Sequence, residues 1–282
     1  MPVPHIESHG FSHVGKVREE NQDSIRLCSQ DLHPLGSRGH LWGIADGMGG
    51  FSNGAMASDI ALSTLFEAVY QDPKGSVAQR LRQGVLAANT QILQTSMRER
   101  LPPMGTTLTA VHLHGHTLHL AHVGDSRAYL VRGGETRCLT NDHTNVGELV
   151  RMRLLPPDRA RTHAQRSVLN RCLGLELFVQ PDVLDLSVQE GDVLILCTDG
   201  LWSVIQDEEI GRMAWEAESL EVFGRMIFDL AMERDSDDNL SVIALRFHRL
   251  DSSVPAPGKG FSFKSLNPFR RREKTPDNGS TA

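Results

Sequence analysis

The stretch Leu41-Trp42-Gly43-Ile44-Ala45-Asp46-Gly47-Met48-Gly49-Gly50 decides how the rest of the chain is read. A short apolar run, long enough for one buried strand, stops at a carboxylate. Gly47, Gly49 and Gly50 follow, and glycine permits backbone angles that other residues avoid. A helical pattern begins near Gly54. Asp46 is therefore expected at a strand end, beside a backbone able to turn its carbonyls toward the same point. Oxygen ligands of that kind suit a hard divalent cation.

The pattern recurs. His119-Leu120-Ala121-His122-Val123-Gly124 ends in Asp125, and Val193-Leu194-Ile195-Leu196-Cys197-Thr198 ends in Asp199. In mirror order, Asp237-Asp238-Asn239 precedes the run Leu240 to Phe247. A single Asp-Gly pair is ordinarily a turn former. Four carboxylates at the ends of antiparallel neighbours are another matter, since Asp46, Asp125, Asp199 and Asp238 would then share one sheet edge. Crowded carboxylates repel and raise each other's pKa unless cations lie between them.

A chain of 282 residues with 39% hydrophobic content can bury a sizeable core. Its formal charge of −6 argues against nucleic acid or an anionic membrane as the main partner. From Ser253 onward, Lys259, Lys264, Arg270, Arg271, Arg272 and Lys274 outnumber Glu273 and Asp277, a net +4 that leaves −10 for residues 1–252. The composition beyond Asp251 shifts to Pro, Gly, Ser, Lys and Arg without periodicity, so residues 252–282 are expected to form a disordered basic tail. Cys28, Cys138, Cys172 and Cys197 form no C-x-x-C pair and suggest a reducing, cytoplasmic setting. No signal peptide and no membrane span is apparent.

Strands are expected around the Gly15–Glu20 loop. Arg18 in that loop is most simply a solvated arginine, although its fork of donors also matches phosphate oxygens. Ala57, Ile60, Ala61, Leu65, Ala68 and Val69 have helical spacing, and Ser76 can cap a second helix carrying Val77, Leu81, Val85, Ala88 and Ile92. Residues 106–139 alternate as antiparallel strands with turns at His114-Gly115 and Gly133-Gly134. His112, His114, His116, His119 and His122 lack the spacing of a zinc site, so a half-solvated hairpin face is expected. Residues 140–174 are irregular and rich in arginine (Arg151, Arg153, Arg159, Arg161, Arg166, Arg171), either attracting acidic groups such as phosphates or simply solvated. Helices are expected from Asp207 and through Leu220–Ala231, with a final strand at Ser241–Phe247.

Seven motifs stand in order: Gly15-Lys16-Val17-Arg18-Glu19-Glu20-Asn21-Gln22-Asp23, Asp46-Gly47-Met48-Gly49-Gly50, Met104-Gly105-Thr106-Thr107, Val123-Gly124-Asp125-Ser126-Arg127-Ala128, Asp142-His143-Thr144, Thr198-Asp199-Gly200-Leu201-Trp202 and Asp238-Asn239. Together they resemble the PPM-type metal-dependent serine/threonine protein phosphatases, the protein phosphatase 2C family, in its bacterial form. The resemblance implies an α+β fold: a central β-sandwich of two antiparallel sheets with helices on both outer faces, in one phosphatase domain over residues 1–251. It implies hydrolysis of phosphoserine and phosphothreonine in proteins with two, or three, Mg²⁺ or Mn²⁺ ions. Asp46 would bridge two ions, with Asp199 and Asp238 on one and the Gly47 carbonyl on the other. Asp125 with Asp199 would hold the extra ion, Asp23 would act from behind or through water, and Arg18 would clamp the phosphoryl group. The implied partners are phosphorylated proteins, substrates of a cognate Ser/Thr kinase, met by a monomer.

Three positions depart from the family. Gln22 stands where animal relatives have glutamate, and a neutral amide ligates cations less well. Ser236-Asp237 stands where family members often have Gly-Gly, and of Asp237 and Asp238 the expected ligand is Asp238. Met48 stands where many eukaryotic members have a histidine proposed as the acid for the leaving oxygen, which leaves a water at the metals, His143, or little need for an acid. Two rival readings have the chain serving one dedicated regulatory partner, such as an anti-sigma antagonist or a secretion-system regulator, or binding phosphoproteins without catalysis. Retention of Asp46, Asp199 and Asp238 speaks against the second.

Overall fold

Strand β3 (His40–Met48) is buried along most of its length. Its alternation sends Trp42 and Ile44 into one apolar layer and Leu41 and Ala45 into another. A strand covered on both faces reads as a continuous apolar run, which explains the Leu41–Ala45 segment. The computed structural model that shows this describes residues 5–28, 39–49, 53–71 and 75–250. The expected tail, 252–282, lies outside the described residues.

β3 pairs antiparallel with β2 (Asp23–Arg26) and β5 (Leu108–His114). β6 (Thr117–Val123) and β9 (Asp182–Ser187) extend the sheet to the order β2-β3-β5-β6-β9, and β4 (Gly105–Thr106) pairs with the end of β3. The second sheet has the order β1 (His5–His13), β11 (Leu240–Arg249), β10 (Val193–Cys197), β7 (Arg127–Arg132), β8 (Glu135–Cys138). All its pairings are antiparallel. Between the sheets lie Trp42, Ile44, Val111, Leu120, Leu130, Leu196, Ile243 and Phe247.

Helices close both outer faces. α1 (Asn53–Gln71) and α2 (Val77–Glu99) pack on the first sheet through Ala57, Ala61, Leu65, Leu81, Val85 and Ile92. Ser76 and Gln79 form a capping box at the start of α2, satisfying backbone donors that would otherwise be orphaned. α6 (Asp207–Glu216) and α7 (Leu220–Glu233) cover the second sheet with Ile210, Phe223 and Ile227. α3 (Asn145–Arg151) and α4 (Pro157–Ala160) lie in the irregular connector, and α5 (Asp199–Trp202) opens directly on a candidate ligand. Each buried Leu, Ile or Phe contributes about 1.5–3 kcal/mol, so three apolar layers hold the sandwich that the family resemblance implies. Among the described residues no helix is long and apolar enough to cross a membrane.

The structure differs from the sequence expectations at two places here. His114 pairs with Thr117, so the β5–β6 turn is Gly115-His116, one residue later than expected. The hairpin is not half-solvated: His112 and His122 are fully buried. The sheet has helices on one face and the other sheet on the other, so neither side of β5 meets water.

Candidate active site

The ends of β3 and β10, the β6–β7 turn and the approach to β11 meet at one end of the sandwich. They surround a cavity of about 560 Å³ lined by Arg18, Asp46, Met48, Asp125, Asp199 and Asp238. The four carboxylates expected to gather do so. Ser167 and Leu169 of the arginine-rich connector form part of the wall. Asp23 is also here but buried, directly opposite Asp46 across the β2–β3 ladder.

Backbone contacts hold Asp46 in place, because β3 continues past it to Met48. Its N–H donates to Thr107 Oγ1 at 2.9 Å, and its carbonyl accepts from Thr106 Oγ1 at 2.9 Å and from the Thr107 N–H at 2.8 Å. Thr107 Oγ1 also pairs with Ser126 Oγ at 2.8 Å, tying the Asp46 strand to the residue after Asp125. Gly47 is required for room: a Cβ there would lie 2.1 Å from the Gly54 carbonyl oxygen and 2.6 Å from that of Gln22. Gln22 serves this loop as a strut, accepting from the Gly47 N–H at 3.1 Å and donating through Nε2 to the Gly49 carbonyl at 3.2 Å.

On the opposite side, the Asn239 side chain spans the β1–β2 loop. Its Oδ1 accepts from the Gln22 N–H at 2.9 Å, and Nδ2 donates to the carbonyls of Val14 and Glu20 at 2.9 and 3.0 Å. Asp238 Oδ1 accepts from the Asn239 N–H and Oδ2 from Arg18 Nη2, each at 2.8 Å. Asp23 Oδ2 accepts from Thr198 Oγ1 at 2.9 Å. Thr107, Ser126, Thr198 and Asn239 fall inside the motifs quoted above, but nothing local in the sequence gives them these tasks.

The electrostatics are those of a site short of positive charge. Burial, then the charges of Asp23, Asp199, Asp125 and Asp238, push the Asp46 carboxyl well above the ordinary range. Burial and then Asp199 do the same to Asp125. Asp199 is raised to about 6 by burial and Asp238, and Asp23 to about 7 by burial against the pull of Ser241 and Thr198 hydrogen bonds. Two buried oxygens, Asp23 Oδ1 and Asp199 Oδ1, have no hydrogen-bond partner among the described residues. Orphaned, mutually repelling carboxylates are what divalent cations would satisfy, so the residues fit such ions. Among the described residues no three His, Cys, Asp or Glu side chains close on one point tightly enough to hold an ion alone. Water and main-chain oxygen would complete the shell, as they commonly do for Mg²⁺.

Several candidates stand elsewhere. His143 does not line the cavity; it is buried and its ring is engaged with Gly124, Arg171 and Asp182. Arg161, largely buried against Asp207, is neither free to attract substrate nor solvated, whereas Arg151 is a solvated surface arginine paired with Glu148 and Arg171 is half-buried against Asp182. Arg166 is the connector arginine whose charge lowers the pKa of Asp199.

The molecule is thus an α-β-β-α sandwich with an acidic cleft and an arginine at its rim, and comparison with known proteins gives its family. The chain belongs to the protein phosphatase 2C family, whose model matches residues 7–240. It is 37% identical over 231 residues to the serine/threonine protein phosphatase PstP of Mycobacterium tuberculosis; the match covers 81% of this chain and 42% of that protein, less than half its length. The serine/threonine phosphatase stp of Listeria welshimeri is 31% identical over 235 residues, covering 81% of this chain and 91% of the relative. Among solved structures, the catalytic domain of PstP in complex with two manganese ions superposes with a TM-score of 0.74 at 32% identity, covering 86% of this chain and 97% of that one.

Proposed function

We propose that this protein hydrolyses phosphoserine and phosphothreonine in proteins, opposing a Ser/Thr kinase in the cytoplasm. The convergence of Asp46, Asp125, Asp199 and Asp238 on one cavity with Arg18 at its rim carries the reading. Asp46, Asp199, Asp238 and the Gly47 carbonyl would hold two Mg²⁺ or Mn²⁺ ions, Asp125 with Asp199 a further one, and Asp23 would support them from beneath. Bound ions of this kind supply charge neutralisation and acidify water for in-line attack. Four free cysteines fit a reducing compartment.

The chain's own groups have separable tasks. Arg18, more than half exposed, swings its fork between Asp238 and the phosphoryl oxygens. The main chain of Asp46 is pinned by three hydrogen bonds, which fixes the point from which its carboxylate reaches the cavity. Met48 carries no proton, and His143 does not reach the cavity. Of the donors weighed for the leaving oxygen, water in the cleft remains.

Turnover of a phosphothreonine peptide and of p-nitrophenyl phosphate by the full chain tests this. Activity with Mn²⁺ or Mg²⁺, none with Zn²⁺ and none in excess chelator is expected, because the ligand set is all oxygen. Full turnover in excess chelator would refute it.

A further inference from the structure

Asp125 sits on a backbone that does not hold itself. It follows Gly124, whose φ of +109° lies in a region that side chains disfavour, and a Cβ at Gly124 would come 2.5 Å from Thr107 Cβ. Two side chains from distant parts of the chain bracket this turn. Trp202 Nε1 donates to the Asp125 carbonyl at 3.0 Å. On the other flank, His143 meets Gly124 twice: its own N–H donates to the Gly124 carbonyl at 2.7 Å, and the Gly124 N–H donates to His143 Nδ1 at 3.0 Å.

The second of these bonds fixes the ring. An Nδ1 that accepts is unprotonated, so the proton of the neutral imidazole is on Nε2. That nitrogen faces Asp182 Oδ2 at 3.3 Å, the acceptor it needs. Arg171 Nη1 lies 3.0 Å from Nε2 but has acceptors of its own in Asp182 Oδ1 at 2.8 Å and the Gln180 carbonyl at 3.0 Å. Asp182 stays ionised for this purpose: its hydrogen bond to His143 is the largest cause of a pKa lowered to about 2. The His143 carbonyl accepts from the Asn170 N–H at 2.9 Å, so the same residue anchors the return of the connector that walls the cavity.

We propose that His143 is a positioning residue for Asp125, fixing through Gly124 the backbone that aims this carboxylate into the cavity, with Asp182, itself held by Arg171, fixing the ring. The proposal rests on the phosphatase reading above. It assigns His143 no proton transfer; its work is to keep one carboxylate in place for the cation proposed at Asp125 and Asp199. Residues that orient a ligand from behind typically alter metal affinity about 10–100-fold when lost.

The test is Mn²⁺ binding to the full chain, by calorimetry and by electron paramagnetic resonance, for wild type, His143→Asn and His143→Leu. Asparagine keeps an acceptor near the Nδ1 position; leucine fills the space without one. We expect His143→Leu to weaken one Mn²⁺ class about tenfold or more, and His143→Asn to stay close to wild type. Equal binding in all three, or an asparagine variant as weak as leucine, overturns the proposal. If His143→Leu does not fold, ¹⁵N spectra of the wild-type imidazole decide: unprotonated Nδ1 supports it and protonated Nδ1 overturns it. A wild-type chain that binds no Mn²⁺ fails the phosphatase reading itself; normal wild-type binding with an unaffected leucine variant fails this proposal alone.

Discussion

Arg18 Nη2 lies 2.8 Å from Asp238 Oδ2, so the rim arginine is paired with one of the carboxylates proposed to hold a cation. The pair is too exposed for its own ion-pair energy to matter much. Its consequence is for binding: when a cation neutralises Asp238, Arg18 is released to a phosphoryl group. Arg18 and a bound cation thus compete for Asp238, and losing Arg18 should look different in kinetics from losing a carboxylate that holds the cations.

Arg18→Ala should raise KM with a smaller fall in kcat, because the phosphoryl group is charged in substrate and transition state alike. The loss in kcat/KM should be roughly 2–4 kcal/mol, the scale of one preorganised donor. Asp46→Asn should cost more, almost all in kcat, and added metal should not restore it fully. Single-turnover kinetics at saturating Mn²⁺ decide between them; a near-normal kcat for Asp46→Asn would mean the bridging role lies elsewhere.

In chelator, stability should fall as pH rises from about 4 toward about 7. Asp199 and Asp23 have folded-state pKa values raised to about 6 and about 7. A carboxyl whose pKa is raised by folding binds its proton more tightly when folded, so its contribution is complete below the unfolded value and lost as pH climbs through the folded one. Saturating Mg²⁺ should flatten this slope. Thermal unfolding across that range, with and without metal, measures both; a chelated protein that gains stability toward pH 7 would contradict the assignment.

Thr107→Val keeps the shape of a buried side chain while removing the acceptor for the Asp46 N–H and the partner of Ser126. Leaving a buried donor unpaired costs about 1–3 kcal/mol. Denaturant unfolding should show that loss, and kcat should drop with it because the Asp46 and Asp125 loops are no longer tied together. Unchanged stability and activity would show that the hydroxyl is dispensable.

A chain ending at Asp251 should keep its fold and its turnover of a small aryl phosphate, with a melting temperature within about 2 °C of the full chain. One ending at Arg246 should not. Phe247 and Leu250 are buried in the layer between the sheets, and losing a buried Phe alone costs about 3–5 kcal/mol. Differential scanning calorimetry of the two truncations separates the cases; a large drop for the longer one would show that residues 252–282 dock on the body.

What the sequence determined by itself was set by short-range chemistry. The 3.6-residue spacing of Leu81, Val85, Ala88 and Ile92 with the Ser76 cap gave α2, because helix hydrogen bonds and capping act within one turn. Apolar runs ending in Asp46, Asp125 and Asp199, and one following Asp238, pointed to four carboxylates at one sheet edge, while the sandwich itself came from the family resemblance. Tertiary structure alone decided the rest. It buried His112 and His122 by laying helices on one face of the sheet and a second sheet on the other. It made Gly47 a matter of close approach to Gly54 and Gln22, where the sequence suggested only turn geometry. It brought Asn239 to Gln22 across 217 positions and turned His143 away from the cavity onto Gly124. A hydrogen bond between residues so far apart depends on the path of the whole chain, and no local pattern encodes it.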